Sequence, residues 1–322
     1  MPAVGPRDAR IKVEACGVGL TVLNYMNGNM SRRAEDLPRI PGHEVVGIVD
    51  EIGAHVEGLR AGQRVMSHFY LFCGACDMCR LAHEPLCRNL RGQVGVAADG
   101  GYAEYMTLPA ANFIAVPDGI DPVAATAIPD AIATPFHVSR RAGVSGGDVV
   151  LVIGAAGGVG MHMIQMTRLF GAEVLAVDLG ETKLAACREI GASAAIDFNA
   201  SGALAAVRAA APRGVTVAID LVGSRETLGF ALDTLGPRGR LVLLTTFAGV
   251  AVELSTRRLV AQEISVIGSR YASRYELAQA AELVAAGRIR PVVSDVVKLE
   301  DVATLHAKLR ARTLLGRGAI AF

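Results

Sequence analysis

The chain has 322 residues, enough for two domains at roughly 100 to 200 residues each. Apolar residues make up 52% and charged residues 20%, with a mean hydropathy of +0.38, so a large core can be buried and disorder is excluded. Thirty-two basic residues against 31 acidic ones leave a formal charge of +1, which gives no electrostatic reason to expect a polyanionic partner and argues against nucleic acid.

The opening stretch, MPAVGPRDARIKVE, holds no apolar segment of the roughly 7 to 15 residues that a signal peptide needs. Up to about residue 130 the chain is rich in glycine, Val/Ile pairs and short polar turns (GHEVVGIVDEIG, GLRAGQRV), a pattern of brief strands. Beyond it, buried strands alternate with helices. VVLVI at 149–153 leads to a helix from Val159, and EVLAV at 173–177 to a helix from Glu181. Further strands are expected at 194–196, 215–219, 240–245 and 263–267, which together predict a parallel sheet covered on both faces. The tail predicts a helix from Tyr275 to Ala286, then strand-like stretches able to return to the first half. The longest apolar run, 149–161, is broken by four glycines and is shorter than the roughly 18 residues of a membrane span. A cytoplasmic location without membrane contact is the expectation.

Four of the six cysteines, Cys73, Cys76, Cys79 and Cys87, form C-x2-C-x2-C-x7-C in a loop-like stretch. Such a cluster in a reducing compartment favours a metal over disulfides. Four thiolates close a tetrahedral shell around zinc with no open position, so the expected zinc is structural, one per subunit. An iron–sulfur cluster uses the same number of cysteines and is not excluded by spacing. Cys16, in an expected strand, and Cys187, in an expected helix, read as small buried apolar residues.

VVLVI runs directly into GAAGGVG at 154–160, which opens a helix. Glycines in this setting let the backbone approach a pyrophosphate, which the helix N-terminus then stabilises. Gly154, Gly157, Gly158, Val159 and Gly160 are therefore candidate dinucleotide-binding residues. Asp178 ends the next strand, 24 residues after Gly154; an acid there accepts hydrogen bonds from ribose hydroxyls and repels a 2′-phosphate, which favours NAD over NADP. Lys183 could bond the same ribose. The plain alternative is a solvated Asp–Lys pair near a helix start.

The stretches ACGVGLTVLNYMNG, LPRIPGHEVVGIVDEIG, the cysteine lobe, GGYAEYMTLPAANFIAVPDG, GAAGGVG and GRLVLLT together resemble the zinc-type medium-chain dehydrogenase/reductase superfamily, which includes alcohol dehydrogenases and quinone and enoyl-thioester reductases. The resemblance spans nearly the whole chain. It implies an α/β architecture, a GroES-like β-rich catalytic domain with an inserted doubly wound Rossmann domain and a cleft between them, divided here as 1–128, 129–268 and 269–322. It also implies that the cysteine lobe is the family's structural zinc site, and that subunits pair through apolar strand edges (LVLLTTFAGVAV, EISVIG) as a homodimer or homotetramer.

Two departures stand out. The family's N-terminal hairpin has no counterpart before VGPRDARIKVEACGV. The family's catalytic zinc ligands are a cysteine where this chain has Gly19, a histidine matching His43, and a cysteine where it has Asp130; a buttressing acid aligns with Val22 and a further histidine with Leu20. Glycine has no donor atom and valine cannot orient an imidazole, so no tightly held catalytic zinc is expected. The competing reading is a modified site in which His43, Glu44 and Asp130 bind a metal.

Without such a Lewis acid, an alkoxide loses its stabiliser, whereas hydride delivery to a conjugated alkene or quinone puts charge on a delocalised oxygen that hydrogen-bond donors can hold. The resulting expectation is an NAD(H)-dependent oxidoreductase acting on a small molecule, an activated alkene or quinone. Asp178 points the other way, because NAD-linked members more often oxidise alcohols. Alignment with the family offers Thr21 as a proton relay, a threonine that in this strand-rich segment would otherwise be an ordinary β former, His43 with Asp130 as an imidazole–carboxylate pair, and Thr134 beside the nicotinamide. The remaining histidines, His68 among them, carry no usable pattern. The alternatives are an alcohol or polyol dehydrogenase with a rebuilt metal site, and a non-catalytic dinucleotide-binding protein.

Overall fold

A computed structural model describes residues 1–28, 37–245 and 249–322 of the chain. It divides into two compact units, one formed by Met1–Ala133 with Ala272–Phe322 and the other by Thr134–Tyr271. The chain enters the first unit with β1 (Asp8–Val18), α1 (Leu20–Met26), β2 (Glu44–Ile52), β3 (Arg64–Ser67), α2 (Asp77–Arg80), β4 (Tyr105–Pro109), β5 (Phe113–Ala115) and α3 (Pro122–Ala125), then a π-helical turn at Ile128–Ile132. The second unit follows with α4 (Ala133–Arg141), β6 (Val149–Ile153), α5 (Gly158–Leu169), β7 (Glu173–Asp178), α6 (Glu181–Glu189), β8 (Ala194–Asp197), α7 (Ala203–Ala210), β9 (Val215–Asp220), α8 (Arg225–Thr234), β10 (Leu235–Leu243), α9 (Thr256–Gln262) and β11 (Ser265–Gly268). The chain returns to the first unit through α10 (Arg274–Ala285), β12 (Val293–Val297), α11 (Val302–Arg310) and β13 (Arg317–Ala321).

In the first unit β1 begins with the alternation of a half-buried strand: Ala9, Ile11, Val13 and Ala15 face inward. From Ala15 to Val18 every residue is buried, and here the partner opposite β2 changes from β4 to the C-terminal β13. The sheet order is β12-β13-β1-β2-β3-β5, with β4 added on β1; every pairing except β12 with β13 is antiparallel. The expected return of the tail is thus made by β13. Thr21, placed in a strand-rich segment by the sequence, lies instead in the helix α1, since β1 ends at Val18 and Gly19 caps the helix.

The second unit is a six-stranded, wholly parallel sheet of order β11-β10-β9-β6-β7-β8. Counted from β6 this is 3-2-1-4-5-6 reversed from edge to edge, the doubly wound order whose ligand crevice opens beyond the carboxyl ends of β6 and β9. Leu151, Ile153, Leu175, Val177, Ala218 and Leu241 fill its core. Two strands differ from the sequence expectation. β10 begins at Leu235 because GPRG, which reads as a turn, is carried through the strand by a left-handed Arg238 (φ 59°). β11 begins at Ser265 because Glu263, also left-handed (φ 51°), terminates α9. Among the described residues no helix is long and apolar enough to cross a membrane.

Candidate functional site

The glycine turn of the second unit joins β6 to α5. Gly154 adopts φ +80°, open to glycine and costly for other residues, and its N–H and that of Ala155 both donate to Val177 O, at 2.9 and 3.2 Å. A Cβ at Gly160 would lie 2.3 Å from Gly154 O and 2.5 Å from Ala155 O, so only glycine lets the first turn of α5 lie on this loop. Gly157 caps α5 in extended conformation with no side-chain hydrogen bond, so the first-turn N–H groups at Gly158, Val159 and Gly160 meet no capping side chain. Such a backbone fits a dinucleotide pyrophosphate.

Asp178 closes β7 beside this turn. Its Oδ2 accepts from the Ala156 N–H (2.9 Å), and its Oδ1 accepts from the Leu179 N–H (2.8 Å) and Lys183 Nζ (3.1 Å). The carboxylate is therefore tied to the glycine turn itself. It is not a helix cap, since Gly180 occupies that place. Thr134 is buried in the first turn of α4, in this same unit. One further acid was not anticipated. Asp220 ends β9 at the opposite side of the crevice strand pair, is 1% exposed, and accepts from the Val222 and Gly223 N–H groups (2.8 and 3.1 Å) and Thr227 Oγ1 (2.7 Å). Burial raises its pKa. It organises the turn into α8, a role whose only sequence signal is a strand-terminal acid.

In the first unit the four lobe cysteines converge so that their sulfurs all lie within 4.8 Å of one another. Sγ–Sγ separations of 3.9 Å (Cys73–Cys79), 3.5 Å (Cys76–Cys79) and 3.9 Å (Cys76–Cys87) bracket the ~3.8 Å of a tetrahedral zinc with ~2.3 Å Zn–S bonds. Backbone N–H groups of Ala75 and Cys76 each donate to Cys73 Sγ at 3.4 Å and hold its thiol down at about 6. The lobe fits a zinc ion. Cys16 and Cys187 are both fully buried; burial pushes Cys187 up to about 12 and Cys16 upward as well, which suits inert packing rather than nucleophilic thiols.

The remaining candidates meet at one end of the β1 ladder. Register pairs Gly17 with Glu44 across β2 and Val18 with Gly318 across β13, which brings Gly19, Glu44 and Arg317 to one point. His43, 4% exposed, packs edge-on against Phe69 with centroids 4.7 Å apart. Its Nε2 lies 3.7 Å from Asp130 Oδ2. The unforeseen member is Arg317. Its Nε and Nη2 donate to Glu44 Oε1 at 3.0 and 2.8 Å, and Nη2 donates to Asp130 Oδ2 at 2.7 Å. Burial would lower its pKa, but Glu44 and Asp130 outweigh this and hold the guanidinium above its ordinary value. Burial likewise pushes the Glu44 carboxyl up, against the pull of Arg317, and Glu44 Oε2 has no hydrogen-bond partner. Thr21 lies in the first turn of α1, half-buried, two residues beyond Gly19. Among the described residues the four cysteines are the only group of three or more His, Cys, Asp or Glu side chains placed to share an ion.

Residues 5–118 match the alcohol dehydrogenase GroES-like domain family and residues 158–286 the zinc-binding dehydrogenase family. An alcohol dehydrogenase of Geobacillus stearothermophilus is 30% identical over 318 residues, 98% of this chain and 92% of the relative. An acryloyl-coenzyme A reductase of Sulfurisphaera tokodaii is 27% identical over the same shares of the two chains. Among solved structures, a thermostable alcohol dehydrogenase from Pyrobaculum aerophilum superposes with a TM-score of 0.91 at 31% identity, over 100% of this chain and 93% of that one. Fold, NAD(P)-binding turn, cysteine lobe and these likenesses agree, and the chain belongs to the zinc-type medium-chain dehydrogenase/reductase superfamily of oxidoreductases.

Proposed function

We propose that this chain is an NAD(H)-dependent reductase of a small activated alkene or quinone, with one structural zinc per subunit and no metal at the His43 site. The observation that carries the reading is the Arg317 guanidinium bonded to both Glu44 and Asp130 beside a glycine at position 19. With no donor at Gly19 and two carboxylates already engaged, the residues present do not fit a second zinc. Bound NADH would supply the hydride. His43, with Asp130 behind it, holds the proton that neutralises the developing enolate or phenolate, and the Thr21 hydroxyl relays it. Thr134 is assigned to the nicotinamide side of the second unit, and Asp178 with Lys183 to the ribose, which selects NAD. Cys73, Cys76, Cys79 and Cys87 would hold the structural zinc and pin the lobe. The relative named for acryloyl-coenzyme A reduction is in keeping with a conjugated substrate. The exposed edge strand β11, with Ser265 and Val266 open to solvent, suits pairing with a second copy; of the apolar edge, residues 246–248 lie outside the described residues.

An alcohol or polyol dehydrogenase is the second reading, favoured by the alcohol dehydrogenase relatives and by Asp178. One experiment separates them: zinc content of the purified protein, with turnover of enones, enoyl thioesters, quinones and alcohols by both cofactors before and after mild chelation. The proposal expects one zinc per subunit and NADH-driven reduction that survives the chelator. Two zincs, or alcohol oxidation lost to the chelator and restored by zinc, would overturn it.

A further inference from the structure

We infer that Arg317 is the resident cation of the His43 site: its guanidinium fills the space that Gly19 leaves open, bonds both Glu44 and Asp130, and so keeps a divalent metal out. The inference rests on the metal-free reading of the site and adds the cause. Gly19 has φ −130° and ψ 176°, an extended conformation open to any residue, so backbone freedom does not explain a glycine here. Space does. A Cβ at position 19 would stand 2.5 Å from Arg317 Nη1 and 3.0 Å from its Cζ. The guanidinium lies where a side chain at position 19 would begin, and a donor atom there would have to displace it.

Charge completes the exchange. Glu44 is fully buried and the Asp130 side chain 16% exposed, and two such carboxylates in one pocket repel each other unless a cation stands between them. Arg317, itself 7% exposed, is that cation; one Nη2 bridges Glu44 Oε1 and Asp130 Oδ2. A metal ion entering the same pocket would face a like charge and find Glu44 Oε1 and Asp130 Oδ2 already bonded to the guanidinium. Arg317 is also a positioning residue, since the oxygen it holds, Asp130 Oδ2, is the one that faces His43 Nε2. Remove the guanidinium, and two oxygens and one imidazole nitrogen remain as a donor set that zinc accepts.

The test is metal content after equilibrium dialysis of the full chain against free zinc. Wild type is expected to hold one zinc per subunit, and folded Arg317→Ala to hold two. Folded Arg317→Ala that stays at one overturns the inference and leaves the proposed function standing, whereas two zincs on the wild type overturn the metal-free reading itself. If the alanine variant does not fold, a second pair of variants decides. Gly19→Ala should lower the melting temperature by about 5 °C with Arg317 present, through overpacking, and by less than about 1 °C in an Arg317→Lys background, whose slender side chain lacks Nη1. Equal losses in the two backgrounds would show that the guanidinium does not claim the space, and overturn the inference.

Discussion

Acid should loosen the first unit through His68. This histidine follows β3, is fully buried, and has a backbone carbonyl facing each ring nitrogen: Tyr70 O at 3.3 Å from Nδ1 and Ala272 O at 3.1 Å from Nε2. Hydrogen bonds to these carbonyls would favour the doubly protonated ring, yet burial outweighs them and lowers the pKa from 6.5 to about 4. A histidine depressed in the folded state contributes stability that is complete above about pH 6.5. It is lost as pH falls toward about 4, because the unfolded chain takes up the proton first. Integrated from about pH 7.5 down to about pH 4.5, the loss is about 2.5 kcal/mol. That corresponds to a fall of roughly 5 to 10 °C in melting temperature for a unit of this size. The assay is thermal unfolding of wild type and His68→Gln across this range. Glutamine can still donate to a carbonyl but does not titrate, so carboxylate titrations common to both proteins cancel and the difference between them reports His68. Parallel pH profiles for the two proteins would refute the reasoning.

Asp178→Asn keeps an acceptor for the Ala156 N–H but removes the charge that ribose hydroxyls would meet; kcat/KM with NADH should fall about 10- to 100-fold, the worth of one or two hydrogen bonds to a charged group, and the preference over NADPH should shrink. An unchanged cofactor ratio in steady-state kinetics would count against ribose recognition. Gly160→Ala, which puts a methyl group 2.3 Å from Gly154 O, should raise the dissociation constant for NADH at least about tenfold and destabilise the second unit by about 1 to 3 kcal/mol. Fluorescence titration with NADH and thermal unfolding check both, and near-wild-type NADH affinity would show that the turn does not cradle the cofactor.

What could be read from the chain were the features whose parts are close in sequence. The four cysteines fall within one loop, and the Gly154–Gly160 turn is bounded by the strand and helix it joins, so local spacing carries their chemistry. The continuous apolar strands of the second unit announced a parallel sheet because both of its faces are covered. Thr21 was misplaced for the same local reason. A β-branched residue after a strand reads as more strand, and nothing nearby says that Gly19 ends it.

Residue order along the chain carries the superfamily, the parallel nucleotide unit, the cysteine lobe and the lack of a ligand at position 19. Tertiary structure alone decided what stands in that ligand's place. Arg317 lies 273 residues from Glu44 and 187 from Asp130, and in sequence it is one arginine among many near the chain end. Only the antiparallel register of β13 on β1, with Val18 opposite Gly318, carries it to Gly19. Once there, its charge offsets the cost of holding two carboxylates close together away from water, which no local pattern in the chain expresses.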